Sequence, residues 1–237
     1  MSDKVVAIHQ PNFFPWLGFF DKIIRSDIFV FLDDVQFPKK GGAWANRVKL
    51  LIAGEARWVT AAIERNYSGT RSIQEMQFQS KTQWREKFLK SIEMNYRRHP
   101  FFEETIKVVE SLVQNFDLNI AKYNIHAITC ILRELGVNTE KLRCSSDFNV
   151  QENSNEMLCV LTSLNGGSIY MCGGGAEEYQ DELVFVKHGL KLQYQNFSHP
   201  VYPQYNRNNF ISGLSVIDAA MNLGWRGVGK MLSNHLP

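Results

Sequence analysis

VVAIHQPNFFPWLGFFDKI, residues 5–23, sets His9, Gln10 and Asn12 among prolines and aromatics where a strand gives way to a helix. Val5, Val6, Ala7 and Ile8 make an apolar run of strand length. Leu17, Phe20, Ile23 and Ile24 recur at helical spacing, so the polar trio falls at the carboxyl end of the strand. In open α/β sheets ligands collect at that end, and a loop so bulky and polar is more than core filling.

Working outward, IFVFLDD (residues 28–34) is a second strand-length run, closed by Asp33 and Asp34 and followed by Pro38, Lys39, Lys40, Gly41 and Gly42. AWANRVKLLIAGEARWVTAAI (residues 43–63) alternates apolar and polar residues on either side of Ala53, Gly54 and Glu55, the pattern of a hairpin. From Thr82 to about Leu135 the period becomes helical, with Gly136 placed as a C-cap. The last third returns to alternation: helix EMLCVLTSLNG, strand SIYMCG, helix AEEYQDELVFVKHG, strand LKLQYQNF, a proline-rich loop, and helix SVIDAAMNLG. The expected architecture is a single α/β domain over residues 1–237, with a mixed central sheet flanked by helices and a helical layer or insertion at about 82–136. No internal repeat, low-complexity tract or linker interrupts it.

A chain of 237 residues with 44% hydrophobic and 12% aromatic content can bury a sizeable core. Its 26 basic and 24 acidic residues balance too closely for nucleic acid or an anionic membrane to be the main partner. Cys130, Cys144, Cys159 and Cys172 lack a CxxC pair, no cleavable apolar leader precedes the first strand, and no apolar run approaches the roughly 18 residues of a membrane span. A cytoplasmic protein without a transmembrane segment is expected.

The order of IHQPNFFPWLGFFDKI, DIFVFLDDVQFPK, WANRVK, YMCGGGAEEY, HPVYPQY and FISGLSVIDAAMNLG resembles the WbqC-like protein family over nearly the whole chain. The long first motif, rich in rare residue types, carries most of that resemblance, and the middle helices carry little. The resemblance implies a place in bacterial O-antigen or other surface polysaccharide biosynthesis and a nucleotide-linked sugar as substrate. It constrains the pathway more than the mechanism.

The residues bear on the mechanism. His9, with an ordinary pKa near 6.5, is the candidate general base or acid; the alternative is a histidine that bonds a loop carbonyl and locks the turn. Gln10 and Asn12 offer amide donors to a substrate oxygen, and Trp16 is either core or a stacking surface. Asp33 and Asp34 end a strand, where alternation turns one of them toward the site; the other reading has one capping the loop and its neighbour in solvent. Without a matching His or Asp cluster they do not call for a metal. Arg47, beside Trp44 and Asn46, is the preferred anion contact because a guanidinium grips phosphate with two parallel bonds. Lys39 and Lys40 read as a solvated turn.

Gly173, Gly174 and Gly175 sit between a strand and an acidic helix, where backbone N–H groups and the helix dipole receive phosphate. They lack the endings of both familiar phosphate motifs, and a steep turn explains them equally well. Cys172 is either a thiolate nucleophile or a buried thiol. His199 and Asn209 form a second polar cluster able to close over a ligand, and Asp218 and Asn222 sit four apart on the last helix. His99, His126, His188 and His235 have no comparable setting.

Three functions are open at this stage. The first is acyl or aminoacyl transfer to the amine of a nucleotide-linked amino sugar, with His9 and Gln10 catalytic, Asp33 assisting and Arg47 on the diphosphate. The second is nucleotidyl transfer from ATP or CTP, and the third a non-catalytic sugar- or glycan-binding protein. No particular cofactor is implied.

Overall fold

The computed structural model describes residues 3–38, 43–174 and 180–234. In chain order the elements are β1 (Val5–His9), α1 (Leu17–Arg25), β2 (Ile28–Phe31), β3 (Arg47–Ile52), β4 (Glu55–Thr60), α2 (Trp84–Tyr96), α3 (Phe102–Val113), α4 (Ile120–Glu134), β5 (Leu142–Cys144), α5 (Ser154–Leu164), β6 (Ile169–Cys172), α6 (Glu182–Lys187), β7 (Lys191–Tyr194) and α7 (Val216–Asn234). The protein is α/β. Five parallel strands lie in the order β5-β2-β1-β6-β7, and β3 and β4 form a separate antiparallel pair.

The hairpin stands apart from the main sheet because of its own turn and its own packing. Ala53 (φ 50) and Gly54 (φ 80) both take positive φ, as a two-residue type I′ turn demands. β3 then buries Val48 and Leu50 against α2 and α7, while most of β4 faces solvent. The short strand β5 escapes the sequence pattern, since three residues are too few to show a period.

Alternation along the strands divides the core into two layers. Ala7, Phe29, Phe31 and Met171 face one cluster, which takes in α1, the helices of the middle region and α7. Val6, Ile8, Val30, Tyr170 and Cys172 face the other, under α5 and α6. Each fully buried Phe contributes about 2 kcal/mol through its apolar area alone. The loop after β1 is pinned by the same means: Phe13, 1% exposed, meets the rings of Phe14, Phe78, Trp84, Phe88 and Tyr123. This packing holds Phe14 at φ 43, a conformation uncommon for a residue with a Cβ.

Gly136 does cap α4. It lies at φ 77, its N–H donates to Arg133 O at 3.0 Å, and Val137 N–H donates to Leu132 O at 2.9 Å, the paired bonds of a Schellman motif. A Cβ at this position meets nothing, so only the backbone conformation opposes it. Gly136→Ala is therefore expected to lower stability by about 1 kcal/mol, seen as a lower urea midpoint with an unchanged slope.

Candidate active site

The strand order decides where a cleft can form. Numbering the sheet's strands by sequence, β1, β2, β5, β6 and β7 become first to fifth and lie 3-2-1-4-5. The chain leaves β1 through α1 toward one edge and leaves β6 through α6 toward the other. The carboxyl ends of β1 and β6 thus part around a crevice, the point at which such sheets hold ligands. A cleft of about 880 Å³ lies there, lined by residues of the β1–α1 segment, the end of β6 and the segment after β7.

His9 ends β1, paired with Phe31 of β2, and its ring packs edge-on against Phe19 at 5.1 Å. Its Nδ1 lies 2.9 Å from Gln10 O and must carry the proton, because a carbonyl only accepts. Nε2 takes no partner among the described residues and is not sealed, so it is left to the cleft. Burial, with a smaller push from the charge of Lys22, lowers the His9 pKa to about 4, and the bond to Gln10 O opposes part of that shift. The imidazole is neutral at pH 7 with a bare acceptor nitrogen facing open space.

Lys22 is the residue that sequence reading passed over. It follows Gly18 by one turn of α1, and both face the cleft. Every residue from Leu17 to Ile23 is buried, so a position that reads as the helix's polar side lies inside the protein. Lys22 is 4% exposed and makes no hydrogen bond or ion pair with any described residue. Desolvation lowers its pKa to about 8, and the Cys172 thiol pulls weakly the other way. Its Nζ lies 3.5 Å from where a Cβ on Gly173 would stand, so the bare backbone at Gly173 leaves the ammonium its space.

A brace fixes these groups. Gln195, 3% exposed, donates through Nε2 to Gly18 O and to Asp21 Oδ2, both at 2.7 Å, and Arg25 bonds Gln195 O while lying 3.7 Å from the Asp21 carboxylate. The end of β7 is thereby tied to the first two turns of α1. Trp16 folds its indole back over Gly18, where a Cβ would come within 2.4 Å of the ring. The far side of the indole meets Phe197 and His199.

Of the residues singled out in the sequence, His9, Gln10, Trp16, Cys172, Gly173 and Gly174 line this cleft, joined by Lys22, Gln180 and Gln195. Gly175 lies outside the described residues, as do Lys39 and Lys40. Asn12 is buried at 4% exposure within the aromatic-packed loop and does not line the cleft. Asp33 and Asp34 turn elsewhere. Asp33 accepts from Ser146 N and Ser146 Oγ, and the Ser145 hydroxyl, with one proton to donate, lies between the Asp33 and Asp34 carboxylates, so both face the turn after β5.

Asn46 donates to Ala61 O within the hairpin, and the Arg47 guanidinium lies 4.2 Å over the Trp58 ring, so neither lines the cleft. His199 stands behind Trp16, with Nδ1 donating to Pro200 O at 3.0 Å and its pKa lowered by burial. Asn209 lines a smaller hollow next to Arg207 and Phe210. Cys172 is 1% exposed and its thiol donates to Gln193 O at 3.6 Å. Among the described residues no group of three His, Cys, Asp or Glu side chains is placed to hold a metal ion. No described helix is long and apolar enough to cross a membrane.

Similarity to other proteins agrees with the order of motifs. An uncharacterized Mycobacterium tuberculosis protein, Rv1507c, is 27% identical over 224 residues, covering 93% of this chain and 94% of its own length. No solved structure matches. The WbqC-like protein family matches residues 10–229, which hold the cleft-lining residues other than Ile8 and His9, and the chain belongs to that family.

Proposed function

We propose that this protein is a transferase of surface polysaccharide biosynthesis that modifies the amine of a nucleotide-linked amino sugar with an acyl or aminoacyl group. The observation that carries the reading is the pairing, at the parting of β1 and β6, of a neutral His9 with an unpaired, buried Lys22. Lys22 takes the place that Arg47 holds in the sequence reading: its ammonium faces the cleft and attracts a phosphate. Gly173 lets that phosphate come close to the backbone.

As the amine nitrogen bonds to the donor's carbonyl carbon, His9 Nε2 accepts the amine proton and returns it to the donor's leaving group when the bond between that group and the carbonyl carbon breaks, while the Gln10 amide lies at the same rim to hold the carbonyl oxygen. The two functions are linked. The Lys22 charge is one of the causes that depress the His9 pKa, so a substrate phosphate that neutralises Lys22 makes His9 a stronger base when it is needed.

Purified protein, incubated with a panel of amino-sugar nucleotides and acyl or aminoacyl donors, is expected to give a product of the combined mass. His9→Gln is expected to lower its turnover by about 10²–10⁴-fold. The pH profile of kcat/KM is expected to lose activity on the acid side as His9 protonates near 4, and on the alkaline side as Lys22 deprotonates near 8. A broad panel that gives no product removes this reading.

The strand order and the cation on the first helix also suit nucleotidyl transfer. Release of pyrophosphate from ATP or CTP, without acylated product, selects that second reading.

A further inference from the structure

A second concavity, of about 440 Å³, lies between the turn of the β3–β4 hairpin, the carboxyl end of α2 and the loop before α7. It shares no lining residue with the His9 cleft. Its charge is one-sided: Arg97, Arg98, Arg207 and His99 line it, and no Asp or Glu is among the lining residues. The side chains of Arg97 and Arg98 make no hydrogen bond or ion pair with the described residues. Arg207 directs its donors to neutral carbonyls, those of Gly54 and Asn209.

His99 gives the concavity a buried polar wall. It is 7% exposed, its Nδ1 donates to Tyr96 O at 3.1 Å, and its Nε2 is buried without a partner among the described residues. A buried acceptor left unsatisfied costs about 1–3 kcal/mol and calls for an explanation. The Tyr205 ring stands 5.0 Å from that of His99, and Tyr205 is 43% exposed, so a flat face borders the hollow.

We infer that this concavity is a second ligand site, which takes a small phosphate ester. One guanidinium fork is enough for a carboxylate, whereas three guanidinium groups lining one hollow with no acid in that lining match a doubly charged phosphoryl group. The volume lies within the roughly 300–1,000 Å³ of small-molecule pockets. With the phosphoryl group on Arg97, Arg98 and Arg207, the ester's ring lies along Tyr205, beside the His99 imidazole. The site does not depend on what the His9 cleft does.

The test follows the imidazole signal of His99 by NMR in the full chain labelled with ¹³C-histidine, assigned with His99→Gln. A nucleoside 5′-monophosphate, a hexose phosphate and inorganic phosphate are titrated separately. At least one ester is expected to shift the signal to saturation and to bind at least tenfold more tightly than inorganic phosphate. The shift is expected to persist in Lys22→Met, which empties the other cleft of its cation, and to need at least tenfold more ester in Arg97→Gln/Arg98→Gln. Both of these arginines are exposed, so their replacement leaves the fold intact. A His99 signal that ignores every ester, that responds equally to inorganic phosphate, or that titrates unchanged in the arginine variant overturns the inference.

Discussion

Replacing Lys22 by Met is expected to make the protein more stable while abolishing phosphate binding in the His9 cleft. Methionine keeps the length of the stem and removes the charge. The folded state holds the Lys22 pKa at about 8 against an ordinary 10.5, a difference equivalent to roughly 3 kcal/mol. Between these two values the unfolded chain binds more protons than the folded one, so stability of the unsubstituted protein rises with pH across that window. The full cost of burying the ammonium is therefore present below about pH 8 and fades as pH approaches 10.5.

Urea unfolding at pH 7 should show Lys22→Met more stable by roughly 2–3 kcal/mol, with the gap closing by pH 10. A variant that is no more stable at neutral pH would mean that Lys22 does not keep an unpaired charge inside the fold. A protein retains such a group at a cost in stability where function requires it, and the lost binding is the other half of the expected result.

Asn124→Ala is expected to cause the largest loss of stability. Asn124 lies on α4, is 0% exposed, and donates through Nδ2 to Pro11 O at 2.9 Å and to Ala45 O at 2.7 Å. One side chain thus ties the loop after His9 to the turn that precedes the hairpin. Removing it leaves two buried carbonyls without a donor, and unmet buried groups cost about 1–3 kcal/mol each. A total of about 3 kcal/mol is expected by denaturant unfolding. Affinity in the His9 cleft should fall as well, although Asn124 touches none of the cleft, because Gln10 and Trp16 sit on the released loop. A stability change within about 0.5 kcal/mol, the range of an ordinary surface substitution, would show that the loop is held by its aromatic packing alone.

The first strand, its helix, the hairpin and the cap at Gly136 were all legible in the chain, because each follows from short-range rules. Alternation marks a strand, a 3.6-residue period marks a helix, and glycine marks a positive φ. The place of His9 at the cleft was legible for a similar reason: an apolar run ending in His-Gln-Pro-Asn places polar groups at a strand's carboxyl end whatever the rest of the fold does. Lys22 was not. It reads as a cation on the solvent side of an amphipathic helix, and its burial depends on β7 and the segment after β6, which arrive much later in the chain.

Asp33, Asp34 and Arg47 show the opposite case. Their residue types and positions after a strand or in a basic segment suit a ligand site, but serines after β5 take up the carboxylates and Trp58 lies under the guanidinium. No local pattern announces such partners. His99 was passed over because a lone histidine beyond a helix has no distinguishing spacing; only the hollow above it and its unpaired Nε2 set it apart.

Residue order alone settled the α/β class, the hairpin turn, most helix boundaries and the presence of a polar turn at the end of β1, since these depend on neighbours within a few positions. Three-dimensional packing settled which polar groups share a cavity: it put β6 beside β1, sent their crossovers in opposite directions, and so enclosed Lys22 with His9 while turning Arg47 and the paired aspartates away. The reason is that strand order and the desolvation of a charge are set by contacts between distant segments, and no periodicity within one segment encodes them.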